Sequence, residues 1–159
     1  LTYEQADAYR NMWFNTYSNV KKYHRDTINF CRKYGYVMSP LGRMRRLPDI
    51  NNTDHALAAR AERQALNHAI QSFSSDLVFL SLNKLIMDGL VDNEECRPIA
   101  MIHDELLFEV KENFVDKYYR IIKNVMENPT VEEFGVKLLV PMVAEGKMGD
   151  NFIDMEAVE

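Results

Sequence analysis

Met101-Ile102-His103-Asp104-Glu105-Leu106-Leu107-Phe108-Glu109-Val110 sets three adjacent polar residues inside an apolar run. The mostly apolar residues from Pro98 to Ile102 suit one strand, and Leu106, Leu107, Phe108 and Val110 suit a second. The stretch therefore reads as a β-hairpin carrying an Asp-Glu pair at its tip. Burying His103, Asp104 and Glu105 unpaired would cost roughly 2–7 kcal/mol for a neutral polar group and more for a charge. They belong in an open cleft, at a metal or in plain solvent. Asp is a favoured turn residue, so a solvated turn accounts for the tripeptide taken alone.

On the C-terminal side, Phe114, Val115, Tyr118, Ile121, Ile122 and Val125 form the buried side of an amphipathic helix from Asn113 to Met126, with Pro129 beyond its end. Val136 to Val143 reads as a strand, and Pro141 within it requires an edge or a bulge. Glu145 to Phe152 reads as a closing Gly-rich loop.

On the N-terminal side, Asn51-Asn52-Thr53-Asp54 offers N-caps for the longest helix, about His55 to Asp88, which Gly89 closes. Arg63, Asn67 and Gln71 recur every four residues along it. Each is turned only about 40° from the last, so the three line one face over roughly 12 Å of helix. Such a row of donors can lie along a groove, or it can be a solvated stripe. Further back, Thr2-Tyr3-Glu4-Gln5 is a capping box for a helix to about Tyr17. A second helix follows the break at Ser18-Asn19 and stops near Gly35. Tyr36 to Ser39 is extended, and Pro40-Leu41-Gly42-Arg43 turns into a second short extended piece ending at Pro48. That basic loop holds Arg43, Arg45 and Arg46.

The chain has 159 residues, 47% hydrophobic and 27% charged, a composition that fits one globular domain or a large piece of a bigger one. Its start lacks both a Met and the pattern of a signal peptide, so it reads as cut from something longer and cytoplasmic. No apolar run approaches a membrane span. Cys31 and Cys96 match no metal or redox spacing and point to a reduced setting. The net charge of −5 hides a division: residues 20–63 carry +6 and residues 85–159 carry −10. A basic segment beside an acidic one permits phosphate contact on one surface and cation binding on another, or is two solvated faces.

Several motifs in order resemble family A DNA polymerases, the class that includes bacterial DNA polymerase I and many bacteriophage replicative polymerases. Gly35-Tyr36-Val37 followed by Leu41-Gly42-Arg43-Met44-Arg45-Arg46-Leu47-Pro48-Asp49-Ile50 is similar to that family's Gly-Arg-Arg segment. Ala61-Glu62-Arg63-Gln64-Ala65-Leu66-Asn67, then Gln71 and Asp76, resembles its minor-groove helix. Ile102-His103-Asp104-Glu105 resembles the motif C hairpin of the palm, and Glu145-Gly146-Lys147-Met148-Gly149 resembles the phage branch. Related single-subunit RNA polymerases usually carry Ser where Glu105 stands, which favours the DNA enzyme.

The resemblance implies an α+β fold, long helices packed on a small antiparallel sheet that contains the motif hairpin and the Val136–Val143 strand. Residues 1–54 would be the end of the fingers with the basic loop, and residues 55–159 the minor-groove helix and palm. It implies transfer of a nucleotide from a dNTP to a primer 3′-hydroxyl, with two Mg²⁺ ions at the attacking and leaving oxygens. Asp104 would be a metal-binding carboxylate, Glu105 would tune the field or hold a metal-bound water, and His103 would approach the primer terminus. Arg63, Asn67 and Gln71 would donate to minor-groove acceptors, which every base pair presents. Arg43, Arg45 and Arg46 would hold phosphates of primer-template DNA. Lys21, Lys22 and Arg25 are read as surface charge.

The family also needs a second metal-binding Asp and a fingers helix that handles the triphosphate. Neither pattern is present, so the chain is expected to be inactive alone, to need an N-terminal polymerase portion in the same or a separate polypeptide, and to associate with itself or that partner. Two departures stand out. Ser72-Phe73-Ser74-Ser75 replaces the usual Gly-Thr-Ala-Ala, and His68-Ala69 replaces Ala-Pro or Met-Pro. Two other readings are a non-catalytic DNA-binding or assembly module and a metal-dependent nuclease, for which only Asp104 and Glu105 are close acids.

Overall fold

The structure is a computed structural model that describes residues 1–158. It forms two compact units, Leu1–Ser72 and Phe73–Glu159, each with its own core.

The first unit opens with helix α1, Tyr3–Thr16, and the expected capping box is present: Thr2 Oγ1 accepts from Gln5 N at 3.3 Å while Gln5 Oε1 accepts from Thr2 N at 2.9 Å. Helix α2, Ser18–Tyr34, begins one residue later, so the break falls at Tyr17 and not at Ser18-Asn19. Gly35 ends α2 at φ 77°, a conformation that side chains with a Cβ resist. Strands β1, Tyr36–Met38, and β2, Met44–Arg46, pair antiparallel around the Ser39–Arg43 turn, and a 3₁₀ turn at Pro48–Asn51 follows.

Asp54 then caps helix α3, His55–Met87, by accepting from Ala56 N at 2.8 Å. Its first half packs in this unit. Ala61 and Ala65, one turn apart, close against Cys31, Val37, Leu47 and Ile50. Small side chains there let α2 come near: Tyr23 donates to the Leu66 carbonyl at 3.0 Å, and Arg32 pairs with Glu62. Helix α1 buries none of its residues, although its aromatic positions keep helical spacing; Tyr9 and Trp13 are exposed.

In the second unit, α3 ends at Met87, one residue short of the expected Asp88 and just before Gly89 at φ 66°, and strands β3, Cys96–Ile102, and β4, Glu105–Val110, form the expected hairpin. A 3₁₀ turn at Glu112–Phe114 leads into α4, Val115–Glu127. Leu85 of α3, Cys96 of β3, and Tyr118 and Val125 of α4 are buried with Val91, and Leu106, Phe108 and Val110 of β4 pack on them. The alternation of those three residues is the period of a strand with one face inward. Helices thus pack on a small antiparallel sheet, the α+β architecture expected. Cys31 and Cys96 are free thiols, and burial pushes the Cys96 thiol up to about 11.

Two expectations are corrected. The Val136–Val143 strand does not form: the described residues contain three separate two-stranded sheets, and this stretch belongs to none of them. The pattern is a strand's, but a strand exists through its ladder; Pro141 has no N–H, and no described strand lies alongside. Leu139, Val140 and Val143 are left exposed. The closing loop, conversely, contains a short strand, β5 at Lys147–Met148, which pairs with β6 at Glu156–Ala157 beyond the loop's expected end. No described helix is long and apolar enough to cross a membrane.

Gly146 holds this closing segment against α4, because a Cβ there would stand 2.3 Å from Tyr119 Cε2. Gly146→Ala is expected to destabilise the chain by about 1–3 kcal/mol through overpacking, read as a lower urea midpoint at unchanged slope. In a Tyr119→Ala background most of that penalty should vanish. An equal penalty in both backgrounds would mean that the ring is not what excludes the Cβ.

Candidate functional site

The hairpin tip is built by the register of its strands. Ile102 pairs with Glu105, which leaves His103 and Asp104 as a two-residue connection. Such connections need a positive φ at one or both positions. Here it falls on His103, at φ 58°. Histidine tolerates the left-handed region better than most residues, but the conformation still costs of order 1–3 kcal/mol. His103, Asp104 and Glu105 are all exposed, in line with the cost of burying them.

The opposite end of the hairpin is anchored. Asn93 Oδ1 accepts from Glu95 N at 2.9 Å and Cys96 N at 3.0 Å, and the Tyr118 hydroxyl donates to Glu95 Oε2 at 2.9 Å. Lys117 Nζ lies 2.8 Å from the same oxygen. The Lys117 ammonium, and after it the Tyr118 hydroxyl, hold the Glu95 carboxyl below the usual range. Midway along, the register shifts between Pro98 and Ala100; Pro98 cannot donate, and Ile99 bulges outward, exposed. The tip therefore stands on a hairpin fixed at its base and re-aimed by a bulge.

The other candidates lie in the first unit. Arg63, Asn67 and Gln71 are all exposed on one face of α3, opposite buried Ala61 and Ala65. Arg43, Arg45 and Arg46 are exposed too. Arg45 and Arg46 are successive strand residues, so they face opposite sides of the ribbon and do not form one flat patch. Besides the packing of Val37 and Leu47 on Ala61 and Ala65, helix row and arginine ribbon share a contact that the sequence does not signal: His68 Nε2 is 3.0 Å from the Arg43 carbonyl. Lys22 and Arg25 pair with Asp26 at 2.7 and 3.2 Å, and Lys22 foremost lowers the Asp26 carboxyl.

Asp104 and Glu105 supply hard oxygen donors of the kind Mg²⁺ takes. Among the described residues, no group of three or more His, Cys, Asp or Glu is placed to hold a metal ion. In chemistry the tip fits one side of a Mg²⁺ site; in number of ligands it falls short. Of the departures, Phe73 is half-buried in an unbroken α3, and Ser72 Oγ is buried without a hydrogen-bond partner among the described residues.

This fold is similar to part of a polymerase domain. It is similar to the POL domain of Pol1 from M. smegmatis, solved in complex with DNA primer-template and dNTP, at a TM-score of 0.74 and 30% identity over 89% of this chain and 24% of that one. The family model described as DNA polymerase family A matches residues 1–154, and the chain belongs to that family. DNA polymerase I of Caldicellulosiruptor bescii is 33% identical over 97% of this chain and 17% of its own length. DNA polymerase I of Deinococcus radiodurans is 30% identical over 97% of this chain and 15% of its own length. The thermostable DNA polymerase I of Thermus aquaticus is 29% identical over 96% of this chain and 17% of its own length. The chain thus spans about a sixth of these relatives.

Proposed function

We propose that the chain is the C-terminal palm-and-fingers part of a template-directed DNA polymerase, acting on primer-template DNA and dNTP. In this reading residues 1–54 close the fingers and residues 55–159 supply the minor-groove helix and palm. The observation that carries it is the exposed His103-Asp104-Glu105 tip on an anchored hairpin, in a chain that belongs to family A.

Asp104 would hold Mg²⁺, with Glu105 beside it adding negative field or binding a metal-bound water. Once bound, the metal would supply positive charge to the oxygens that attack and leave. His103 would donate a hydrogen bond toward the primer-terminal nucleotide. Arg63, Asn67 and Gln71 would hold any correctly paired duplex through its minor-groove acceptors and lose their hold on a mispair. Arg43, Arg45 and Arg46 would contact phosphates. The other carboxylate and the fingers helix lie outside this chain, so the chain alone is inactive. The likeness of Glu145–Gly149 to the phage branch belongs to the same reading.

Primer extension tests it. The pure chain with Mg²⁺, dNTPs and a primed template should add no nucleotide, and a polypeptide supplying the missing Asp and fingers helix should restore synthesis. Extension by the chain alone would refute the dependence on a partner, and failure of every such complement would refute the catalytic reading.

A second reading, a non-catalytic DNA-binding or assembly module, is favoured by the incomplete ligand set around Asp104 together with the intact exposed row on α3. Salt-dependent duplex binding that ignores Mg²⁺, without complementation, would select it.

A further inference from the structure

We propose that His68 is a positioning residue that sets the arginine ribbon of β1–β2 at a fixed offset from the donor row of α3, so that both grip one duplex as a unit. The inference rests on the DNA-polymerase reading above.

His68 follows Asn67 on α3 but points to the other structure. Its Nε2 lies 3.0 Å from the Arg43 carbonyl, which can only accept, so Nε2 carries the proton and donates. The carbonyl it meets is the pivot of the turn. Ser39 N donates to the same Arg43 oxygen at 2.9 Å, Arg43 N donates to Ser39 Oγ at 3.1 Å, and Gly42 N donates to the Ser39 carbonyl at 2.9 Å. Ser39 is buried, and Gly42 sits at φ 84°. The turn is thus internally rigid. Val37 and Leu47, packed on Ala61 and Ala65, seat the base of the ribbon on α3; the His68 bond adds a directional tie at the turn itself.

The consequence is geometric. Phosphates and minor-groove acceptors of one duplex stand at set distances, so two groups of contacts add only if the protein holds them in a matching offset. A turn tied to α3 presents its arginines in a fixed offset from the donor row; a turn free to move above its packed base must be ordered when DNA arrives.

The test is duplex binding by the 159-residue chain, followed by fluorescence anisotropy as salt is raised, for the unmodified chain, His68→Ala and His68→Gln. Glutamine places an amide donor near the position of Nε2 and should bind like the unmodified chain. Alanine should weaken binding about tenfold at low salt and flatten the dependence of log affinity on log salt by about one, the effect of losing a phosphate contact. The unfolding midpoint should change little. If alanine unfolds the chain, His68→Met, of similar reach and without a donor, takes its place. Unchanged affinity and slope in the donorless variant would overturn the proposal, and so would a glutamine variant as weak as alanine. An unmodified chain that shows no salt-dependent duplex binding would overturn this inference, because there is then no two-part grip for His68 to set; the DNA-polymerase reading stands or falls separately, on primer extension with a complement.

Discussion

Asp104→Ala, introduced into a polymerase reconstituted from this chain and its complement, should lower the rate of nucleotide addition by at least about 10³-fold, equivalent to ~4 kcal/mol of transition-state stabilisation. The reason lies in the residue's setting. Asp104 is exposed at the end of a hairpin whose base is locked by Asn93, Tyr118 and Glu95, so its carboxylate faces outward on a rigid support. Its removal breaks no packing, and stability should move by no more than about 0.5 kcal/mol. Duplex affinity should be retained, since the arginines and the α3 row are untouched. Single-turnover rates across a Mg²⁺ titration separate these effects. Glu105→Gln should cost much less, about tenfold, because the role proposed for it acts through field or water. Full single-turnover activity in the Asp104 variant would remove this residue from the chemistry.

The largest effect on stability should come from Leu85→Ala, at about 2.7–5.0 kcal/mol. Leu85 is wholly buried among Val91, Cys96, Tyr118 and Val125. Alanine is the best helix former, and the Leu85 carbonyl that accepts from Leu90 N at 2.9 Å and Val91 N at 3.2 Å is kept. The loss is therefore a cavity and not a broken helix end. Against a domain stability of about 5–15 kcal/mol it is a large share. Each kcal/mol should lower the melting temperature by about 2–4 °C. Urea denaturation followed by far-ultraviolet circular dichroism measures it, and a cost below about 1 kcal/mol would mean that the pocket around Leu85 collapses freely.

The sequence made legible those features whose causes are local. Thr2 and Gln5 are three residues apart, and Gly35 and Gly89 end helices by their own backbone freedom, so a reader of the chain finds them. The hairpin was legible because its turn and both strands lie within one short stretch. Val136–Val143 was misread because its pattern shows only readiness to pair; the partner is not written in those residues. The β5–β6 pair escaped for the opposite reason, being too short to carry any period. At the site, residue types and spacing nominated Asp104, Arg63, Asn67 and Gln71, and all of them are exposed. The His68–Arg43 bond was not legible, because its partners are 25 residues apart and a backbone carbonyl leaves no mark in the sequence.

Pro98 and Ile99 also govern what the hairpin can stick to. Leu106-Leu107-Phe108 is an apolar, β-prone run on a two-stranded sheet, and both strands of such a sheet are edges. Glu105 and Glu109 flank that run with charge, while Pro98 and the bulge deny an arriving strand a continuous row of donors along β3. The kink that aims the tip thus also restrains accretion: straightening it with Pro98→Val would give newly made chains a flat template on which to aggregate.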